Sequence, residues 1–129
     1  TYVKETISYS IAMGYQSVIK AKSKYYKRCD MDFSEDEILI TNGGSEELLF
    51  AAIATCNAGD EILVPEPFYT IYNGFTTAVD VSIRPITTKA EEGFHLTSKE
   101  EIIACVTDKT RALMNSNPGN TTGVVYNNK

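Results

Sequence analysis

Three short segments of this 129-residue chain combine residue types that can do chemistry. The first is Thr41-Asn42-Gly43-Gly44-Ser45-Glu46, where a β-rich stretch runs through two glycines into a helical pattern. A helix N-terminus presents unpaired N–H groups and a partial positive charge, and glycines let an anion approach the backbone, so a phosphate would fit there with Ser45 adding a hydroxyl. The same residues also make a plain turn and N-cap, and they match neither the Walker loop nor the glycine fingerprint of a dinucleotide fold. The second segment is Pro65-Glu66-Pro67-Phe68-Tyr69-Thr70-Ile71-Tyr72, directly after an apolar strand pattern. Ligands of parallel sheets collect outside the carboxyl ends of the strands, so Tyr69 is placed to lie against a planar ring, while Phe68 and Tyr72 read as core. The third is Asn117-Pro118-Gly119-Asn120-Thr121-Thr122-Gly123, again at a strand's carboxyl end. Taken singly it is a solvated turn; three polar, Gly-rich loops at successive strand ends would share one edge of a sheet and form a site.

Other reactive side chains point elsewhere. His95, between Phe94 and Leu96, has no Ser, Cys or carboxylate placed for a triad or a metal, and reads as structural or exposed. Glu35, Asp36 and Glu37 read as a solvated turn. Cys29, Cys56 and Cys105 are odd in number, widely spaced and free of C-x-x-C, so they suggest small buried apolar groups in a reducing compartment. The formal charge of −5 is spread along the chain and leaves no basic footprint for nucleic acid or an anionic membrane. No apolar run nears the roughly 18–20 residues of a transmembrane helix and no signal peptide opens the chain, which makes a cytoplasmic location the expectation.

The elements that must position these segments follow from periodicity. Tyr15, Val18, Ile19, Tyr25 and Tyr26 repeat at helical spacing between lysines, predicting a helix over about 14–29, followed by a short strand over Glu37–Thr41. Leu48, Leu49, Ala52, Ile53 and Cys56 predict a second helix stopped by Asn57-Ala58-Gly59. Glu61–Pro65 is a continuous apolar strand, a third helix starts near Phe68, and Val79–Ile86 alternates as a strand. Overlapping capping boxes at Thr97/Glu100 and Ser98/Glu101 open a fourth helix, and Arg111–Ser116 reads as a strand leading into the third loop. Strands alternating with helices specify an α/β fold, a partial mixed, mostly parallel sheet flanked by helices.

In this order and spacing the segments resemble the class I/II aminotransferases of fold type I. The resemblance runs from Tyr9-Ser10 and Lys24-Tyr25-Tyr26 through Ile40-Thr41-Asn42-Gly43-Gly44-Ser45-Glu46-Glu47-Leu48. It continues in Ala58-Gly59-Asp60-Glu61-Ile62-Leu63-Val64-Pro65, in Pro67-Phe68-Tyr69 and in Asp108-Lys109-Thr110-Arg111-Ala112-Leu113, and ends in the Asn-Pro-Gly-Asn-Thr-Thr-Gly loop. It implies pyridoxal 5′-phosphate as cofactor, with Gly43, Gly44 and Ser45 at its phosphate, Tyr69 stacked on its pyridine ring and Asn120 hydrogen-bonded to its phenolic oxygen. Tyr9 looks like the tyrosine that reaches the phosphate of the neighbouring subunit, which implies a homodimer. Amino acids and 2-oxo acids are the implied substrates. A lyase on the same scaffold, or a non-catalytic module that binds a phosphate-bearing ligand, is the alternative.

Two departures from the family pattern stand out. Thr121 occupies the place of the loop's second proline, whose preceding bond is commonly cis in the family; before Thr a cis bond would cost about 2.5–4 kcal/mol. No lysine sits in a Ser-rich, Gly-flanked segment of the kind that carries the family's Schiff base. The expectation is therefore that residues 1–129 are part of the cofactor-binding large domain, without the catalytic lysine segment or the small domain, and inactive alone.

Overall fold

The structure, a computed structural model, describes residues 9–126 and divides between Gly44 and Ser45 into two compact units. The polar stretch Asn127–Lys129 lies outside the described residues.

The first unit is built on helix α1, Gln16–Arg28, which buries Ile19 and Ser23. The Ser23 hydroxyl donates to the Phe33 carbonyl at 2.9 Å and so anchors the segment after the helix. Helix α1 ends in a Schellman motif, with Asp30 at φ 58° and the Met31 N–H reaching back to the Tyr26 carbonyl at 3.0 Å. The expected strand over Glu37–Thr41 does not form. Ser34 and Glu37 make a capping box around a 3-10 turn at Glu35–Glu37, and Leu39–Thr41 follow with no ladder partner among the described residues. Ile40 instead bonds to a residue far earlier in the chain, its N–H donating to the Met13 carbonyl at 3.0 Å. Its side chain packs where a Cβ on Gly14 would lie 2.6 Å from the Ile40 Cβ, which requires glycine there at φ +107°.

The second unit holds the sheet. Helix α2, Gly44–Thr55, starts at the boundary glycine and leads to strand β1, Glu61–Glu66. Helix α3, Ile71–Ala78, then strand β2, Ser82–Thr87, helix α4, Lys99–Ala104, and strand β3, Thr110–Leu113, complete it. The strand order is β2-β1-β3 and both pairings are parallel. Strand β1 is central because it is apolar without interruption: Ile62, Leu63 and Val64 are 4%, 2% and 1% exposed. Successive side chains point to opposite faces, so three consecutive buried residues require cover on both. One face closes over Ile62 and Val64 with Ala52, Tyr72, Phe75 and Val81. Pro85 is tolerated in β2 because that strand lies at the edge of the sheet.

Two boundaries differ from the periodicity. Helix α3 starts at Ile71 rather than near Phe68. Val79–Val81, expected in a strand, instead closes α3: Asp80 adopts φ 56°, its N–H bonds the Thr77 carbonyl, and Val81 N–H bonds the Thr76 carbonyl at 2.9 Å. This is again a Schellman motif, hidden from sequence because aspartate stands where glycine is the usual signal. Helix α4 is capped as expected by Ser98, which exchanges hydrogen bonds with Glu101. The Ser98 hydroxyl, and after it the Ser98 N–H, hold the Glu101 carboxyl below its ordinary value. Of the cysteines, expected to be buried, Cys29 is exposed and Cys56 and Cys105 are half-buried. No helix among the described residues is long and apolar enough to cross a membrane.

The pairing of β1 with β3 shifts register between Glu61 and Ile62, so Arg111 has no opposite number. Its guanidinium meets the buried Asp60 carboxylate, Nε to Oδ2 at 3.2 Å, and Asp60 also accepts the Asn57 N–H at 2.8 Å. Removing a charged acceptor of this kind costs about 1.5–3 kcal/mol. Asp60→Ala should therefore lower the urea midpoint by an equivalent amount at unchanged m-value, and Asp60→Asn, which keeps the acceptor for Asn57, by roughly half of that.

Candidate functional site

In the order β2-β1-β3 the chain leaves β1 for one neighbour and then crosses back to the other. The crevice outside the carboxyl ends of β1 and β3 is thus a topological switch point, the place where open α/β sheets bind ligands. Two of the three chemistry-bearing loops emerge there, Pro67–Thr70 after β1 and Asn115–Gly123 after β3.

The first loop is shaped by its aromatic residues. Tyr72 is buried and stacks on Phe68 with ring centroids 6.1 Å apart, while Tyr69 meets the Tyr72 ring edge-on at 5.9 Å. Tyr69 is thereby held in place yet stays 43% exposed, with ring surface free for a ligand. Phe68 and Tyr72 are core residues, as the sequence indicates.

The second loop closes on itself. The Asn117 carboxamide pairs with the Tyr126 backbone in both directions, Nδ2 donating to the carbonyl at 3.1 Å and Oδ1 accepting from the N–H at 3.0 Å. Inside this clasp Gly119 N–H donates to the Val124 carbonyl at 2.8 Å and Gly123 N–H to the Gly119 carbonyl at 2.9 Å. A Cβ on Gly119 would lie 2.7 Å from Thr122 Oγ1 and 3.2 Å from Val124 Cγ1, so the turn has no space for a side chain. Asn120 stands exposed at the tip. Among the described residues cis peptide bonds precede Pro67 and Pro118, and Asn120–Thr121 is not cis.

Tyr69 and Asn120 line one cleft, with Val64, Tyr72 and Met114 among the residues beneath them. Its free volume is about 30 Å³, room for a water and not for a ring. The geometry is a platform: a ligand rests on the rim, against the phenol face of Tyr69 and within reach of a carboxamide that can donate to an acidic oxygen. Such a donor set fits one face of a planar heterocycle bearing a phenolic oxygen. The Thr121 hydroxyl joins the two loops, donating to the Pro67 carbonyl at 2.5 Å. Tyr126 lines the same cleft and burial pushes its phenol above the ordinary range. Nothing local in the sequence marks Tyr126 as a cleft residue; it is brought there by the backbone clasp with Asn117.

The glycine loop is local to the start of α2. Gly43 adopts φ +94°, Thr41 Oγ1 donates to its carbonyl at 3.1 Å, and open space surrounds the Cα of both Gly43 and Gly44, leaving their backbone approachable. Ser45 is exposed and does not line the cleft of Tyr69 and Asn120. Gly43, Gly44 and the fully exposed Tyr9 belong to the first unit. Tyr69 and Asn120 are thus the two anticipated residues that the second unit brings together.

The family model for aminotransferases of class I and II matches residues 5–129. The chain belongs to this family. A putative aminotransferase of Bacillus subtilis, YugH, is 34% identical over 121 residues, covering 92% of this chain and 31% of its own. Among solved structures, an aspartate aminotransferase from Thermotoga maritima superposes with a TM-score of 0.87 at 28% identity, over 95% of this chain and 32% of that one. An alanine aminotransferase from Pyrococcus furiosus gives 0.84 at 30% identity, over 93% and 30%. The chain spans about a third of the length of these relatives. Class I/II aminotransferases depend on pyridoxal phosphate, and the rim described above suits the ring of that cofactor.

The tight turn at Gly119 makes a direct expectation. Gly119→Ala overpacks the loop by about 1–3 kcal/mol, so amide exchange at Gly123, which donates to the residue-119 carbonyl, should accelerate roughly 5- to 100-fold while exchange in β1 is unchanged.

Proposed function

We propose that this chain is the cofactor-binding segment of an aminotransferase that moves an amino group between an amino acid and a 2-oxo acid. The observation that carries this reading is the meeting of Tyr69 and Asn120 on one rim at the switch point, in a chain of this family. When bound, pyridoxal 5′-phosphate supplies an aldehyde for the amino nitrogen and an electron-withdrawing ring.

The residues of this chain hold and tune that group. Tyr69 covers one face of the ring and keeps water from it. Asn120 Nδ2 donates to the phenolic oxygen, favours its anionic form and so lowers the pH at which the proton leaves. The N–H groups of Gly43, Gly44 and Ser45, with the Ser45 hydroxyl, receive the phosphate at the start of α2. Tyr9 reaches the phosphate of a second subunit, which makes the enzyme a homodimer with shared sites. The lysine that bonds the cofactor is not among residues 1–129, so these residues alone give no turnover. Three unpaired cysteines accord with a cytoplasmic location.

The test is made on the whole natural protein loaded with pyridoxal 5′-phosphate. Asn120→Ala removes a donor to an anion, a loss of about 1.5–3 kcal/mol, so the pH midpoint of the cofactor's visible absorbance change should rise by roughly 1–2 units. Tyr69→Ala should weaken cofactor binding about 5- to 100-fold through lost stacking. An unmoved midpoint together with unchanged affinity would refute the assignment. Borohydride reduction followed by peptide mapping should place the modified lysine outside this segment, and a label on any lysine within it would overturn that part.

A further inference from the structure

The loop after β3 has its shape set internally, by the Asn117 clasp on Tyr126 and by the bonds of Gly119 and Gly123. Those bonds do not decide where the loop sits relative to the loop that carries Tyr69. The Thr121 hydroxyl bridges that gap. It donates to the carbonyl of Pro67, 54 positions away in sequence and two residues before Tyr69, at 2.5 Å, and both partners line the same cleft. Thr121 also directly follows Asn120, so the bond is one residue from the carboxamide on one side and, through Pro67-Phe68, two residues from the phenol on the other. Proline, the family's usual residue at this place, has no hydroxyl and could not make the bond.

We propose that Thr121 is a positioning residue that sets the Asn120 carboxamide at a fixed height over the Tyr69 ring, a hydrogen-bonded latch between the two loops. This rests on the reading of Tyr69 and Asn120 as cofactor contacts. Thr121 touches neither ring nor phosphate in this scheme; it acts through Asn120. A hydrogen bond between neutral groups has a modest net worth, so its removal should read as a several-fold effect rather than loss of function.

The experiment compares Thr121→Val, which keeps the shape and removes the hydroxyl, with Thr121→Ser, which keeps the donor, in the whole natural protein. Cofactor affinity is measured by titrating the apoprotein with pyridoxal 5′-phosphate, and the pH midpoint of the bound cofactor's absorbance is followed beside it. Thr121→Val should weaken affinity about three- to tenfold and raise the midpoint in the same direction as Asn120→Ala but by less, and Thr121→Ser should restore both. A lowered melting temperature with an unmoved midpoint would make Thr121 merely structural and overturn the proposal. So would a Val variant that matches the parent in affinity and midpoint while Asn120→Ala shifts them. If Asn120→Ala and Tyr69→Ala themselves change nothing, the cofactor reading fails first and the latch with it. Should the Val variant not fold, Thr121→Ala against Thr121→Ser reads the same contrast.

Discussion

Burial of Ile62, Leu63 and Val64 in immediate succession is the constraint from which the rest of the second unit follows. Each such side chain removed from water contributes about 1.5–3 kcal/mol, and adjacent residues of a strand face opposite ways, so both faces must be covered at once. A hairpin partner leaves one face wet. Parallel neighbours joined through helices do not, because the crossovers lie over the sheet. Once β2 and β3 run parallel on either side of β1, the loops leaving β1 and β3 emerge at the same edge.

The cleft divides between a dry floor and a polar rim. Val64 and Tyr72 belong to the core and give the floor its rigidity, while Tyr69, Asn120 and Thr121 stay in contact with solvent. Tyr69 gains its fixed orientation from an edge-on contact with a buried ring. Asn120 sits on a loop whose shape is set by an asparagine carboxamide clasp and tightened at a glycine. Neither side chain has to be buried to be held. That suits a platform on which a planar cofactor lies, and it suits a chain spanning about a third of its relatives' length, which in the proposed reading furnishes one face of a larger site.

The opposite end of the sheet serves stability. The register shift at Glu61/Ile62 frees Arg111 to pair with Asp60, and Thr107 donates to the Glu61 carboxylate at 2.7 Å. These polar contacts close the amino-terminal edges of β1 and β3, where no ligand is expected to bind. The carboxyl edges keep their polar groups for the cleft.

Sequence by itself determined the helices α1, α2 and α4, the central strand and the parallel α/β class, because these depend on local periodicity, capping boxes and an apolar run that admits one solution. It also pointed to Tyr69 through its place after a strand, and to Asn120 through the resemblance to the family. What it could not decide were features whose signals are not local. The stretch Glu37–Thr41 has strand composition but lacks a partner among the described residues, and pairing is a property of two segments. Asp30 and Asp80 end helices in left-handed conformations that glycine would have advertised. Thr121 reads as a missing proline, and only the folded chain, by carrying Pro67 to within hydrogen-bonding distance across 54 residues, turns that substitution into a contact.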